Sequence, residues 1–420
     1  MKKIIRKALL MVLVLAFAAG TALGAGFKLP EQGAKAMGMS MAWTAQANDP
    51  SAIYYNPAGI TQLEGMHLLI GGTLIDARGS TFQGFVKPPP SFFVPPISLP
   101  IGTVFPTNES GKNQEFFAPV AYYTMQAGDK LFLGIGINAP FGLSRTYSPD
   151  FTLPPSQSGN VALDIQHAQL QTVVVNPTVA YKINDYISIG AGVDYMHAKA
   201  ELDRVLAPGL KFHLDGDGDA WSWNAGILVT PGYNLRFAVS YRNGYDMEIT
   251  GDATAFGLKT GGKTDVNMAD ILVAAVAYQT EKFTIEFDYD YTFWSDFENL
   301  DIKLDSALGP IPAFNPQRKD WDDVAAYRLG MRYNFSSSCY GSAGIFYDEN
   351  PIPEATLGSE LPDSDRKGFS LGAGFRIKDI GVDISYIYFD YRERGVNNSK
   401  YDGTWSNLAR LYSLNLSYAF

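Results

Sequence analysis

The chain has one cysteine, Cys339, among 420 residues, so no intrachain disulfide can form even in an oxidising compartment. That thiol reads as a small packing residue. Beyond residue 24 the sequence lacks any apolar run of membrane-helix length. The longest, Ile271 to Tyr278, has eight residues where a spanning helix needs ~20. Histidine is scarce: His67, His167, His197 and His213 show no HExxH or comparable spacing, so no metal centre is expected. No GxSxG elbow occurs and no Ser/His pairing is specified, so an enzyme is not expected, nor any cofactor. Basic residues (33) are outnumbered by acidic ones (43), which argues against a nucleic-acid partner.

The first residues assign a compartment. Lys2, Lys3, Arg6 and Lys7 form a basic stretch, Ala8 to Ala19 is unbroken and apolar, and Ala22-Leu23-Gly24 offers the small residues that a signal peptidase reads. Twelve apolar residues suit a cleaved signal peptide over 1–24 rather than an anchor. Its loss removes four positive and no negative charges, taking the formal net charge from −10 to −14. An exported chain with 41 glycines, 13% aromatics and no disulfide points to a β-rich envelope protein.

Periodicity sharpens this to a barrel. In "FTIEFDYDYTFW", Phe283, Ile285, Phe287, Tyr289, Tyr291 and Phe293 share one face, and Thr284, Glu286, Asp288, Asp290 and Thr292 the other. The same alternation recurs around Phe237, Leu329, Phe375 and Leu416. A soluble sandwich would alternate too. Here, however, the strands look longer than the usual ~5–6 residues. Tyr and Phe cluster near strand ends, and short turns alternate with long loops, as in outer-membrane barrels. We count fourteen antiparallel strands across 65–420, an even number as closure favours. They include a third at 130–147, a fifth at 186–205, a sixth at 219–230, a ninth at 282–304 and a tenth at 319–335. Glu286, Asp288 and Asp290 of the ninth are expected to form an ion-pair ladder with Arg328 and Arg332 of the tenth.

Three segments break the alternation. Asp215 to Asp219, "DGDGD", lacks the Gly and Glu positions of a calcium loop and reads as an acidic surface turn. Lys87 to Pro106 carries seven prolines and reads as a stiff loop that either captures greasy ligands or packs over the barrel mouth. Before the first strand, residues 25–64 are rich in Ala, Gly and Met. There Asp49-Pro50 and Asn56-Pro57 each place a cap before a proline, predicting two or three short helical turns. Such a unit is too small to fold by itself, but it could fill a lumen.

"AGFKL" at 25–29, "NPAGI" at 56–60, "WNAGIL" at 223–228, "AYRLG" at 326–330 and the terminal "YAF" together resemble the FadL/TodX family of outer-membrane transporters. The resemblance runs in order from 25 to 420. It implies an all-β transmembrane barrel of fourteen antiparallel strands, with residues 25–64 as an N-terminal short-helical hatch plugging the lumen of a 65–420 barrel. It also implies passive uptake of long-chain fatty acids or hydrocarbons in a Gram-negative outer membrane. The ligand would reach an apolar internal site and leave sideways into the bilayer. The hatch face at that exit would be Asn56, Pro57 and Ala58. Pro140, Phe141 and Gly142 of the third strand, which by themselves would read as a bulge at a strand end, become an inward kink that opens the wall. Phe27 would reach the internal site, and Arg204 and Lys319 would receive a carboxylate.

The implied surroundings are a hydrophobic small molecule, outer-membrane lipid with lipopolysaccharide, and the assembly machinery that reads Phe420, for a monomer. The segment near 206–218 is short for a fatty-acid transporter, which leaves an aromatic-hydrocarbon channel open as an alternative. From other classes, a general porin or a structural barrel also remain.

Overall fold

The computed structural model describes residues 25–87, 104–147, 165–207, 210–308 and 317–420. The signal-peptide expectation and most of the proline-rich segment lie outside these residues. Within them the chain closes into a fourteen-stranded antiparallel barrel.

Strands β1 (Met66–Ala77) and β2 (Gln114–Gln126) are followed by β3, split into Leu131–Asn138 and Gly142–Thr146. Next come β4 (Ile165–Lys182), β5 (Ile187–Ala207) and β6 (Leu210–Gly232). β7 (Leu235–Arg242 and Tyr245–Ala255) and β8 (Leu258–Met268 and Asp270–Gln279) each break once. The wall continues with β9 (Phe283–Phe293), β10 (Val324–Ser336), β11 (Cys339–Asp348), β12 (Arg366–Ile377), β13 (Ile380–Tyr391) and β14 (Leu408–Ala419). Pairing of His67 with Ala419 on one side of β1, and of Met66 with Met125 on the other, closes the ring. Apolar residues such as Phe237, Val239, Phe287, Leu329, Leu371 and Leu414 are exposed on the outer face, as a lipid-facing band requires.

Several boundaries differ from the sequence reading. β6 begins at Leu210, not 219, because "DGDGD" is strand rather than turn. Its aspartates alternate outward. Gly216 and Gly218 lie where the far half of β7 crosses, so close that a Cβ at Gly218 would sit 2.2 Å from the Glu248 carbonyl oxygen. A turn-like composition was therefore needed for strand approach. β9 stops at Phe293, where a 3-10 turn over Trp294–Asp296 takes over. β10 starts at Val324, leaving Lys319 in the preceding loop.

Residues 25–64 fill the lumen. They include α1 (Ala34–Met37), α2 (Ala52–Tyr55) and a 3-10 helix over Pro57–Gln62. Asn56 caps the last of these, its side chain accepting the Ala58 N–H at 3.1 Å. The Asp49-Pro50 cap falls short of its helix: α2 starts after Ser51, and Asp49 instead accepts the Ser51 N–H at 3.0 Å.

Between the two helices, the turn over residues 43–46 leaves the N–H groups of Trp43 to Gln46 without a partner inside the hatch. The wall supplies acceptors. Asp288 Oδ2 takes the N–H groups of Trp43 (3.2 Å) and Thr44 (3.1 Å), and Glu286 takes those of Ala45 (2.6 Å) and Gln46 (3.0 Å). This corrects the expected ladder. Only Asp290 pairs with Arg328 (2.8 Å), which continues to Asp348 (3.1 Å) and on to Arg366 (2.6 Å). Arg332 instead lies over the Trp43 ring, 5.6 Å from its centroid.

Room for the hatch comes from wall glycines. A Cβ at Gly190 would sit 2.5 Å from Ala58 N, and one at Gly226 would sit 2.1 Å from Asn56 Oδ1. Valine at Gly190 should therefore unseat the hatch while the strands still close. We expect Gly190→Val to retain β-sheet circular dichroism and to make liposomes swell in sugars that the parent protein excludes. Arg328→Met should cost ~3–5 kcal/mol in urea unfolding, because it breaks the buried Asp290–Arg328–Asp348 network and leaves Asp290 only the 3.9 Å approach of Lys28.

Candidate ligand-binding site

The third strand does not run straight. From Asn138 opposite Val174 to Gly142 opposite Gln171, β3 advances four residues while β4 advances three, so one extra residue is accommodated at Ala139–Phe141. On the other side the ladder opens. β2 pairs with β3 only from Ala121 to Gln126, whereas its pairing with β1 extends to Gln114. Pro140 in the break and Pro119 across from it have no N–H to offer. Lys112 N–H to the Thr146 carbonyl (2.8 Å) reconnects the strands at the far end.

The broken stretch bonds inward, to the hatch. Leu29 N–H donates to the Pro140 carbonyl (2.7 Å), Gly142 N–H donates to the Phe27 carbonyl (2.8 Å), and Gln32 Nε2 donates to the Ala139 carbonyl (2.8 Å). The extra residue that releases β3 from β2 thus frees backbone groups that residues 27–32 satisfy.

On the long-loop side of this contact lies an apolar cavity with about 930 Å³ of empty space, its opening included. Leu143, Ala168, Leu170, Leu202, Leu214, Val266, Ile302 and Leu361 line it, and Phe27 closes one end. Phe27 packs among Trp294 (ring centroids 4.7 Å apart), Trp321 (5.5 Å), Phe297 (5.8 Å) and Phe141 of the break (6.0 Å). The backbone reaches this position through Gly26, at φ +66°. A side chain there would be strained and would lie within 2.8 Å of both Trp294 and Trp321. Beyond Phe27 a second, more polar cavity of about 450 Å³ lies between hatch and wall, lined by Lys28, Met41, Tyr54, Arg242 and Asp290. Its charges are matched: Lys28 with Asp290 (3.9 Å) and Arg242 with Asp194.

The structure brings some of the sequence-derived residues together and separates others. Phe27 and Lys319 line the same cavity, and Phe141 touches Phe27. Lys319 is buried and ion-paired with Glu360, a partner the sequence reading did not name. Arg204 shares the pleat face of Ala200 and Leu202, which line the cavity, but is not itself among its lining residues. Asn56, Pro57 and Ala58 pack most closely on Gly190 and Gly226 of β5 and β6. From the same segment it is Ile53 that meets β3, at Gly134 and Gly136. The aromatic floor of Trp294, Phe297 and Trp321 was missed. One signal was available: Trp294 continues the lumen-facing parity of Thr284 to Thr292, where a large apolar ring is out of place unless something packs on it.

These features accompany kinship along the whole chain. The profile of the family described as outer membrane protein transport protein (OMPP1/FadL/TodX) matches residues 15–420. The chain belongs to this family. It is 26% identical to outer membrane protein P1 of Haemophilus influenzae, with 98% of each chain covered. To the long-chain fatty acid transport protein of Escherichia coli K12 it is 24% identical, with 94% of each covered. Among solved structures, a Pseudomonas aeruginosa FadL homologue superposes with TM-score 0.80 at 17% identity, over 94% of this chain and 100% of that one. The Ralstonia pickettii toluene transporter TbuX superposes with TM-score 0.67 at 17% identity, over 91% and 98%. As a FadL/TodX-family member the chain is an outer-membrane transporter of fatty acids or hydrocarbons and not an enzyme.

Two buried carboxyls bear on how the hatch is held. Burial pushes Glu31 up to about 7 although the Arg366 and Arg328 guanidinium groups oppose it. Burial likewise pushes Asp363 up to about 6, against Arg366 and the Gly26 N–H that donates to it at 2.9 Å. Both hold their protons more tightly in the folded chain than in the unfolded one. Their contribution to stability is therefore complete below about pH 4 and is lost as the pH rises through about 6 and 7. The unfolding temperature should fall between pH 4 and pH 7, and Glu31→Gln should flatten the upper part of that decline in a thermal melt.

Proposed function

We propose that this family member takes up hydrophobic molecules passively, seating them in the apolar cavity closed by Phe27 and releasing them sideways through the wall at the β3 break. The observation that carries this reading is the interrupted β2–β3 ladder, whose freed groups bond to residues 27–32 at the cavity floor. An alkyl chain sheds water in such a cavity, and a sideways route spares it the aqueous compartment beyond. Phe27 and Lys319 serve as ligand-contacting residues in this reading, and Pro140, Phe141 and Gly142 form the exit. The Asn56–Ala58 segment holds the hatch beside that exit. The protein acts as an exported monomer whose exposed terminal Phe420 is offered to the assembly machinery.

A neutral hydrocarbon is the second reading, and the pairing of Lys319 with Glu360 favours it, since that ammonium already has its counter-charge. A general porin fits poorly with a lumen filled by buried hatch residues.

Gly142→Trp places a large ring in the gap. Cells carrying it should take up labelled oleate or toluene roughly tenfold more slowly, while the purified protein still binds the ligand. Unchanged uptake with the gap filled would rule out the sideways route.

A further inference from the structure

β5 and β6 run for 21 and 23 residues, well beyond the ~9–11 that a membrane crossing needs. The opposed rings of Tyr195 and Trp221, with centroids 5.0 Å apart, lie where that crossing is nearly complete, and the rest of the hairpin stands on the long-loop side. Three of the four histidines gather on the outer face of this extension and of its neighbour β4. Each faces a carboxylate on another strand: His167 meets Glu201, His197 meets Asp219 and His213 meets Asp203. Register sets His167, Asp203 and His213 side by side on β4, β5 and β6. One row nearer the membrane, Glu201, Asp215 and Asp252 stand abreast on β5, β6 and β7.

Like charges opposed in such a row repel, and the histidines sit where they relieve it. His213 Nδ1 lies 2.5 Å from Asp203 and its Nε2 lies 3.4 Å from Asp215. His167 Nε2 lies 3.7 Å from Glu201, with Nδ1 2.9 Å from the Thr146 hydroxyl of β3. Neutral imidazole has a single N–H, so a ring with a carboxylate at each nitrogen is matched only as the cation. Other neighbours do not replace it. Asp252 is paired with Lys259 (2.8 Å), Thr254 opposite His213 on β7 does not titrate, and Lys199 and Lys211 stand two residues from Glu201 and His213 on their own strands. Partial burial opposes the His213 proton, but Asp203, then Asp215 and Glu201, raise its pKa above the ordinary 6.5. The paired state is thus complete below about pH 6.5 and is lost as the pH rises through that raised value.

These residues alternate with the cavity wall. Leu202 lies between Glu201 and Asp203, Leu214 lies between His213 and Asp215, and Ala168 follows His167; all three line the apolar cavity. We propose that the row His167–Asp203–His213 is a proton-operated latch on that wall. Protonated, it ties the outer ends of β4, β5 and β6 together and holds the cavity closed. Deprotonated, it leaves Glu201, Asp203 and Asp215 to repel one another, and the hairpin loosens to admit ligand. The latch goes beyond the uptake reading, and only its consequence for ligand entry rests on that reading.

Hydrogen exchange of the amides of 199–203 and 213–217 in the purified full-length protein, corrected for the intrinsic rate at each pH, reads the latch without any ligand. Uptake of labelled toluene by cells, above the background of cells lacking the protein, reads its consequence, since toluene carries no charge at any pH. Both should rise about fivefold from about pH 5 to about pH 8, the scale of one or two exposed ion pairs. Glu31 and Asp363 titrate in the same range, so variants decide the source. His167→Gln combined with His213→Gln should be loose at both pH values, and His213→Lys should keep the hairpin protected at the higher one. Parent amides that do not respond, or a response that survives in the double variant, overturn the latch. Responding amides with unchanged toluene uptake overturn its control of entry. If the parent takes up no toluene at either pH, the uptake reading fails, and the exchange result still decides the latch.

Discussion

Everything in the lumen depends on a backbone problem and its solution. The turn over residues 43–46, between the two short helices of the plug, has four buried N–H groups with no partner in the plug, and burying them unpaired would cost about 1–3 kcal/mol apiece. Glu286 and Asp288, on neighbouring inward positions of one strand, accept four consecutive hatch N–H groups from Trp43 to Gln46. Two carboxylates thereby dock a segment with little secondary structure of its own. The wall in turn gains a filled interior, which a barrel of fourteen strands cannot supply from its own side chains alone.

The same exchange occurs at the third strand. One extra residue on β3 breaks its ladder with β2 and turns the Ala139, Pro140 and Gly142 backbone groups inward, where Phe27, Leu29 and Gln32 meet them. A defect in the wall and an end of the hatch are therefore one hydrogen-bonded unit. Phe27 connects that unit to the cavity, because its ring forms the cavity floor while its carbonyl holds Gly142. In the proposed route, a ligand in the cavity and the break in the wall would therefore meet at the same residue.

Much of this was legible in advance because barrels have a strict sequence period. Alternation from Phe283 to Phe293 assigned each residue to lipid or lumen, and the exposure of Phe287 with the burial of Asp288 follows that assignment. The short helical turns could be read from proline and asparagine at Asn56-Pro57, whose capping bond forms. Where the reading failed, two structures shared one local signal. Asp215 to Asp219 has turn composition and strand period, and only its antiparallel pairing with β5 and with the far half of β7 decides between them. Glu286 and Asp288 sit where an ion-pair ladder would place them, yet hatch amides reach them in place of arginines.

By itself the sequence determined the compartment, the period of the wall, the strand number and the presence of a separate segment before the first strand. Each of these follows from composition or from side-chain alternation along neighbouring residues. Tertiary structure decided what each inward charge meets. Lys319 is spent on Glu360, 41 residues away, and Arg328 bridges Asp290 and Asp348 from two other strands. Arg145, buried on β3, has no ion-paired carboxylate among the described residues. Such pairings join positions far apart in the chain, and no local pattern encodes which of several nearby charges will be closest once the barrel closes.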